Sequence, residues 1–474
     1  MAAPATTLLD LPDELILEII RPLSCIRSYE TQSTAFKDKK KERARQHENH
    51  VRQLALHSIC LASRRLRGIA IPTLYASFNA SASLYGYERV RLFHRTITSL
   101  EHGLGLNSRL AEYIQYVEIR LADSHGNHLS NDLETLELSQ YYYLLGEILM
   151  QVSNIQHLSI VSVENEEFSL WSPILPGHLA AGASTRLGTV ASHGFPKLQT
   201  LNLQIHALGY DSSPIHAMFH RVCSAMTSVL SLTDLRTSSF SSTGSIKPLS
   251  GSFQSLRRLE ITECELPFDE VLNLWSACEG LRHIVCSWAY LDGQGVTPSD
   301  LYTGLLRHSK TLETLCLNLR EVRFDSPATQ LRLGSLQPFT RLESLTICEI
   351  ALLGTLISLE GPFGPDLHNH ISDCLPESLK HLELLFTKGV GRDSGSDPSE
   401  LDDLLELWHL AENCKSAMPE LARVSVRSAF RRGAPRLTKA FNDIGLQFEN
   451  FEETLQFENI EEALQFEVIE EALP

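Results

Sequence analysis

The chain has 474 residues, 43 % of them hydrophobic and 21 % charged, and a formal net charge of −17. That length allows a large core, and the negative balance argues against nucleic acid as a partner, because phosphate binding needs a net basic face. Acidic residues at 10, 13 and 14 interrupt the first apolar run, so no signal peptide is expected. No apolar stretch reaches the roughly 20 residues that span a bilayer, so no membrane is expected either. The ten cysteines stand singly with no C-x-x-C, and read as reduced, small core residues of a cytosolic and/or nuclear protein.

The first element in chain order is a short helix in LLDLPDELILEIIRPL, from Leu8. Pro12 suits the first helical position, where a missing N–H costs nothing, and Asp13 and Glu14 favour the positive end of the helix dipole. Leu15, Ile19 and Leu23 share a face at i, i+4, i+8, with Ile16 and Ile20 alongside. A charged insert over 27–53 follows. Its basic run (Lys37, Lys39, Lys40, Lys41, Arg43 and Arg45) reads as a solvated loop or helix face. The block LALHSICLASRRLRGIAIPTLYASF then predicts two short helices broken near Ser63, with Leu56, Ile59, Leu61 and Leu66 among its apolar residues. Two or three short helices cannot bury that much aliphatic surface alone, so this module must dock on the rest of the chain or on another protein.

Residues 81–440 are organised by a recurring frame, L-x-x-L-x-L. Nine copies start at Ile114, Ile155, Leu198, Leu256, Leu281, Leu312, Leu342, Leu379 and Leu421. The alternating end of each frame predicts a short strand with one buried face, and the leading apolar residue anchors the incoming loop. One such unit cannot bury its own hydrophobic face, so the units must stack. FDEVLNLWSACEG and SDLYTGLLRHSK predict helices between frames, the second capped by Ser299–Asp300. Strand alternating with helix predicts an α/β fold, a parallel sheet with helices on its outer face. The polar x positions, including Arg257, Arg258, Glu260, Glu313, Thr314, Glu343, Lys380 and Glu383, are expected to point outward.

The tail, 441–474, repeats LQFENFEET, LQFENIEEA and LQFEVIEEA from Leu446, with nine glutamates and no Lys or Arg. A nine-residue period turns a helix face by about 180° and also reverses the faces of a strand. The tail is therefore expected to be disordered or only locally helical. No linear catalytic signature occurs: no G-x-S-x-G, P-loop, G-x-G-x-x-G or H-E-x-x-H. No cofactor or metal is implied, and the 19 histidines are scattered, with His157 and His381 at x positions.

The pairing of LLDLPDELILEII with LALHSICLASRRLRGIAIPTLY resembles an F-box, and the frames that follow are similar to the degenerate leucine-rich repeats of fungal-type F-box proteins. The resemblance implies a small helical F-box followed by an irregular leucine-rich-repeat solenoid. It also implies a non-enzymatic substrate receptor of an SCF-type ubiquitin ligase, docking the adaptor subunit, and through it cullin, while the repeats hold a target protein. The adaptor-binding positions it implies are Leu11, Pro12, Leu15, Ile16 and Ile19 in the first helix and Leu56, Ile59, Leu61 and Leu66 in the second block. The departure is the separation of about 30 residues between Leu23 and Leu54, where F-box helices normally follow closely. The alternative is a repeat scaffold acting outside any ligase, with the helices as a cap.

Overall fold

The computed structural model describes residues 10–29, 39–81, 86–98, 107–120, 132–164, 171–182, 194–206, 218–240, 249, 253–293, 297–324, 332–353, 370–386, 399–428 and 434–452. Three helices come first: α1 (Asp13–Ile20), α2 (Lys39–Ala62) and α3 (Arg64–Leu74). Pro12 stands at the mouth of α1, one position earlier than expected. Ser63 breaks the second block as expected, because its hydroxyl accepts from the Leu66 N–H at 3.1 Å and caps α3. From Lys39 the charged insert is helical, one of its two expected forms; what differs is that it is continuous with the apolar block, so α2 runs for 24 residues.

Ile16, Ile20, Leu56, Leu66 and Ala70 form the core of this helical module, with Leu11, Leu23, Ile59, Cys60, Ile69 and Leu74 packed around them. Each buried Ile or Leu contributes about 1.5–3 kcal/mol relative to exposure. Arg65 closes the mouth of α1 from α3, donating to the Leu11 carbonyl at 2.7 Å and to Asp13 at 2.5 Å.

The strands and helices then alternate. The run is β1 (Ser77–Ser81), α4 (Gly86–Thr98), α5 (Asn107–Tyr113), β2 (Tyr116–Arg120), α6 (Asp132–Gln151), β3 (His157–Glu164), α7 (Pro176–Gly182), β4 (Thr200–His206), α8 (Met218–Met226), β5 (Asp234–Ser238), β6 (Arg258–Cys264), α9 (Phe268–Ser276) and β7 (His283–Trp288). It continues through β8 (Leu291–Gly293), α10 (Pro298–Leu306), β9 (Thr314–Asn318), β10 (Val322–Phe324), β11 (Ser344–Cys348), α11 (Glu349–Leu353) and α12 (Ile371–Cys374). The last elements are β12 (His381–Leu385), α13 (Ser399–Ala417), β13 (Arg423–Ser428), α14 (Ala434–Asp443) and β14 (Gln447–Glu452). Twelve strands neighbour one another in chain order, β1-β2-β3-β4-β5-β6-β7-β9-β11-β12-β13-β14, while β8 and β10 make a two-stranded sheet. By compactness the chain divides into one unit of 1–285 and 289–291 and a second of 286–288 and 292–474.

All nine frames are strands, and in each the leading residue is buried just before the strand: Ile114, Ile155, Leu198, Leu256, Leu281, Leu312, Leu342, Leu379 and Leu421. The reason recurs from rung to rung. The leading N–H closes a tight turn, as in Leu198 to Phe195 (3.2 Å), Leu256 to Phe253 (3.2 Å) and Leu342 to Phe339 (3.1 Å). The carbonyl of the next residue then accepts two N–H groups from the following rung. Gln156 takes Gln199 and Thr200 at 2.7 and 3.0 Å, and Glu343 takes Lys380 and His381 at 2.8 and 2.9 Å. The frame thus sets the register as well as the strand. Phe93 of α4 stacks on Phe78 of β1 at 3.9 Å, and Phe441 of α14 on Phe448 of β14 at 4.8 Å, so these helices lie on the apolar face of their strands.

Three expectations are corrected. The helix after β8 is capped by Thr297, whose hydroxyl and N–H form a capping box with Asp300; Ser299 is already inside it. A further frame, Leu232-x-x-Leu235-x-Thr237, makes β5. The described part of the first tail nonapeptide is neither disordered nor helical: Gln447–Glu452 form β14, paired parallel with β13. The rest of the tail, 453–474, lies outside the described residues.

Candidate docking surfaces

Two faces of the molecule could hold a partner, and the structure treats them differently. The first is aliphatic and belongs to α1 and α2. Ile16 and Ile20 are 1 % and 2 % exposed, whereas Leu15 and Ile19, about 100° round the same helix, are 51 % and 53 % exposed. Leu61 of α2 is 74 % exposed, and Leu17, Val51 and Leu54 are exposed as well. Pro12 is also exposed, while Leu11 and Ile59 are half-buried against the module core. Ile16, Leu56 and Leu66 are core residues, so they hold the module together and do not face outward. Leu54 and Val51, absent from the sequence-based set, lie on the outward face of α2.

The second face is the polar side of the strands, where the residue between the two buried apolar positions of each frame projects. At β2, β3 and β4 these residues are Glu118, Ser159 and Asn202, paired in register and expected to meet solvent. All three are buried. A strap, residues 24–29, lies over them. Its Ser28 N–H donates to the Tyr116 hydroxyl (3.1 Å), and its hydroxyl donates to Ser159 Oγ (2.9 Å) and accepts from Asn202 Nδ2 (3.2 Å). The Tyr29 carbonyl accepts from Arg236 of β5 at 3.1 Å, and the Arg236 guanidinium lies 4.9 Å from the Tyr29 ring centre.

α2 holds the strap from the other side. Arg45, Asn49 and Arg52 fall at i, i+4 and i+7, one helical face. Arg45 donates to the Ile26 carbonyl at 2.7 Å. Asn49 both accepts from the Ile26 N–H (2.8 Å) and donates to its carbonyl (2.9 Å), and Arg52 donates to the Ser24 carbonyl at 2.8 Å. Arg45 was expected in solvent; its side chain is instead 2 % exposed, between Glu42 at 2.6 Å and Glu118 at 2.8 Å. Arg120 closes the ring, 2.6 Å from Glu42 and 3.1 Å from Glu118. Two guanidinium groups and two carboxylates balance, which is what makes their burial tolerable.

Titration follows from this packing. Burial alone would raise the Glu118 pKa, but Arg45 and Arg120 outweigh it and hold the carboxyl below its ordinary value. The hydroxyl of Tyr116 donates to Glu118 at 2.6 Å, and burial together with that carboxylate pushes its pKa well up. His157, beside Tyr29, bonds Thr200 Oγ1 at 3.1 Å; burial and then Arg27 depress it to about 4.

In the second unit no such strap occurs among the described residues. There the charges pair across rungs: Lys380 with Glu343 at 2.9 Å, Arg341 with Glu313 at 3.2 Å, and Arg427 with Glu383, which also accepts from Thr346 Oγ1 at 2.9 Å. Arg423 pairs with Glu449. These neighbouring opposite charges leave no single-sign patch among the pairs.

Among the described residues no three His, Cys, Asp or Glu side chains gather as a metal site, and no helix is long and apolar enough to cross a membrane. Cys264 and Cys348 are buried, their thiols pushed up to about 12, and so stay protonated at neutral pH. No protein-family model matches the sequence, and no curated protein matches it.

Proposed function

We propose that the chain is a non-enzymatic substrate-recognition subunit of an SCF-type ubiquitin ligase, working in the cytosol and/or nucleus. In this reading α1 to α3 act as an F-box for the adaptor, and the strand rungs, as irregular leucine-rich repeats, hold a target protein. One observation carries it. The module has a closed core of its own (Ile16, Ile20, Leu56, Leu66, Ala70) and still exposes Leu15, Ile19, Leu54 and Leu61, aliphatic groups whose exposure nothing in the packing of the module requires. The test is affinity capture of the adaptor by the full chain and by the Leu15→Asp, Ile19→Asp double variant. Capture by the wild type, lost in a variant with unchanged melting temperature, supports the reading; a wild type that captures no adaptor ends it.

The second reading, a scaffold outside any ligase, has its own support in the strap. Ser28 and Arg45 tie the module to β2 and β3, as a cap would be tied. It expects no adaptor capture, together with other partners retained by the double variant.

A further inference from the structure

Residues 24–29 lie across the strands as a bound peptide would. Ser28, through its N–H and its hydroxyl, touches three rungs: Tyr116 of β2, Ser159 of β3 and Asn202 of β4. Tyr29 reaches a fourth, its carbonyl accepting from Arg236 of β5. The Tyr29 ring sits among three partners. It is edge-on to Tyr116 with ring centres 6.4 Å apart, tilted against His157 at 5.8 Å, and close to the Arg236 guanidinium. These rungs therefore hold a small hydroxyl side chain followed by an aromatic one. A tyrosine seated between aromatic rings and an arginine is a frequent anchor of protein–protein contacts, because one flat, stiff side chain fills the seat at little entropic cost.

The strap is attached without being part of a core. Of its six residues only Ser28 is buried, and none belongs to the apolar cluster of the helical module. Lifting it uncovers polar groups on Tyr116, Ser159, Asn202 and Arg236, which water can satisfy. Ile16, Ile20, Leu56, Leu66 and Ala70 stay packed on one another, and the Arg45 bridges to Glu42 and Glu118 use no strap atom. Leu23, packed against the module core, tethers the strap beside the rungs. A tethered segment competes at a high effective concentration. A free segment of the same chemistry then meets an occupied face, and its apparent affinity falls by the fraction of chains in which that face is open.

We propose that the polar face of β2–β5 is a docking track for an extended segment of a target protein, a hydroxyl residue followed by an aromatic one, and that residues 24–29 occupy it in cis as an autoinhibitory strap. This rests on the reading that the strand rungs hold a target. The test is fluorescence anisotropy in reducing buffer, with the labelled hexapeptide SCIRSY, the strap's own sequence, as probe. The full-length wild type is compared with the full-length Ser28→Ala, Tyr29→Ala variant, whose strap has lost its side-chain contacts while every group on the strands is intact. The variant is expected to bind the peptide about tenfold more tightly or better, a tenfold gain being about 1.4 kcal/mol of lost closure. The control peptide SCIRAA is expected to bind neither chain. Tyr29→Ala alone, which keeps the Ser28 bonds, gives the same comparison in a less disturbed chain. Equal affinity of wild type and variants for SCIRSY, binding by none of them included, overturns the proposal. So does SCIRAA binding as tightly as SCIRSY. Peptide binding needs no adaptor, so adaptor capture by the same chains tests the ligase reading separately.

Discussion

At the residue scale the deciding group is Arg45. It looks like one charge in a basic run, yet it is buried against two carboxylates and a carbonyl. Arg45→Ala leaves Glu42 and Glu118 buried without it and should cost about 3–5 kcal/mol. The double variant Arg45→Met, Glu118→Leu should recover part of that loss, and urea denaturation measures both. The pH dependence has a definite sign. His157 has a folded pKa of about 4 against an ordinary 6.5, so the unfolded chain takes up the proton first. Its contribution is whole above pH 6.5 and declines as pH falls from there toward 4. Glu118, held low, adds a loss as pH falls below its ordinary range. His157→Gln should flatten the upper part of the decline in denaturation midpoint and leave the acid part; an unchanged profile would contradict the assignment.

At the element scale, one helix serves two faces. Ile20→Ala should cost about 2–5 kcal/mol by opening a cavity in the module, while Leu15→Asp and Ile19→Asp should each shift stability by less than about 0.5 kcal/mol; thermal melts of the three separate core from surface. The strands were readable from the chain because L-x-x-L-x-L encodes both the turn and the buried pair. β5 escaped because Thr237 stands at the sixth position, although it is as buried as the leucine it replaces. The strap escaped for a different reason. Residues 24–29 have no periodicity, and their partners on the strands lie 88 to 207 residues away. The available hint was the i, i+4, i+7 spacing of Arg45, Asn49 and Arg52, polar residues on one face of a helix that otherwise reads as charged all round. The exposed aliphatic face was likewise readable only as apolar: spacing marked Ile16 and Ile19 alike, and only packing against α3 separates them.

At the scale of the whole molecule, the first unit cannot be cut at the apparent boundary near residue 80. A chain starting at Ser81 lacks the strap and α2, so Glu118, Ser159 and Asn202 lose their cover. It should melt earlier than the full chain and be cut faster by protease within β2 to β4; equal protection would show that the strap is dispensable. The strap also imposes an order in time. Tyr29 meets Arg236 across 207 residues and Ser28 meets Asn202 across 174, whereas the module core closes within the first 70. On a ribosome adding about 5–20 residues per second, the three helices are complete about 8–30 s before their last strap partner emerges. During that interval the strap is not yet fully seated, and for about the first 2–9 s, until Glu118 emerges, Arg45 has water as its neighbour in place of that carboxylate. A chaperone or partner that acts only on the nascent chain would therefore meet a module whose strap is still free.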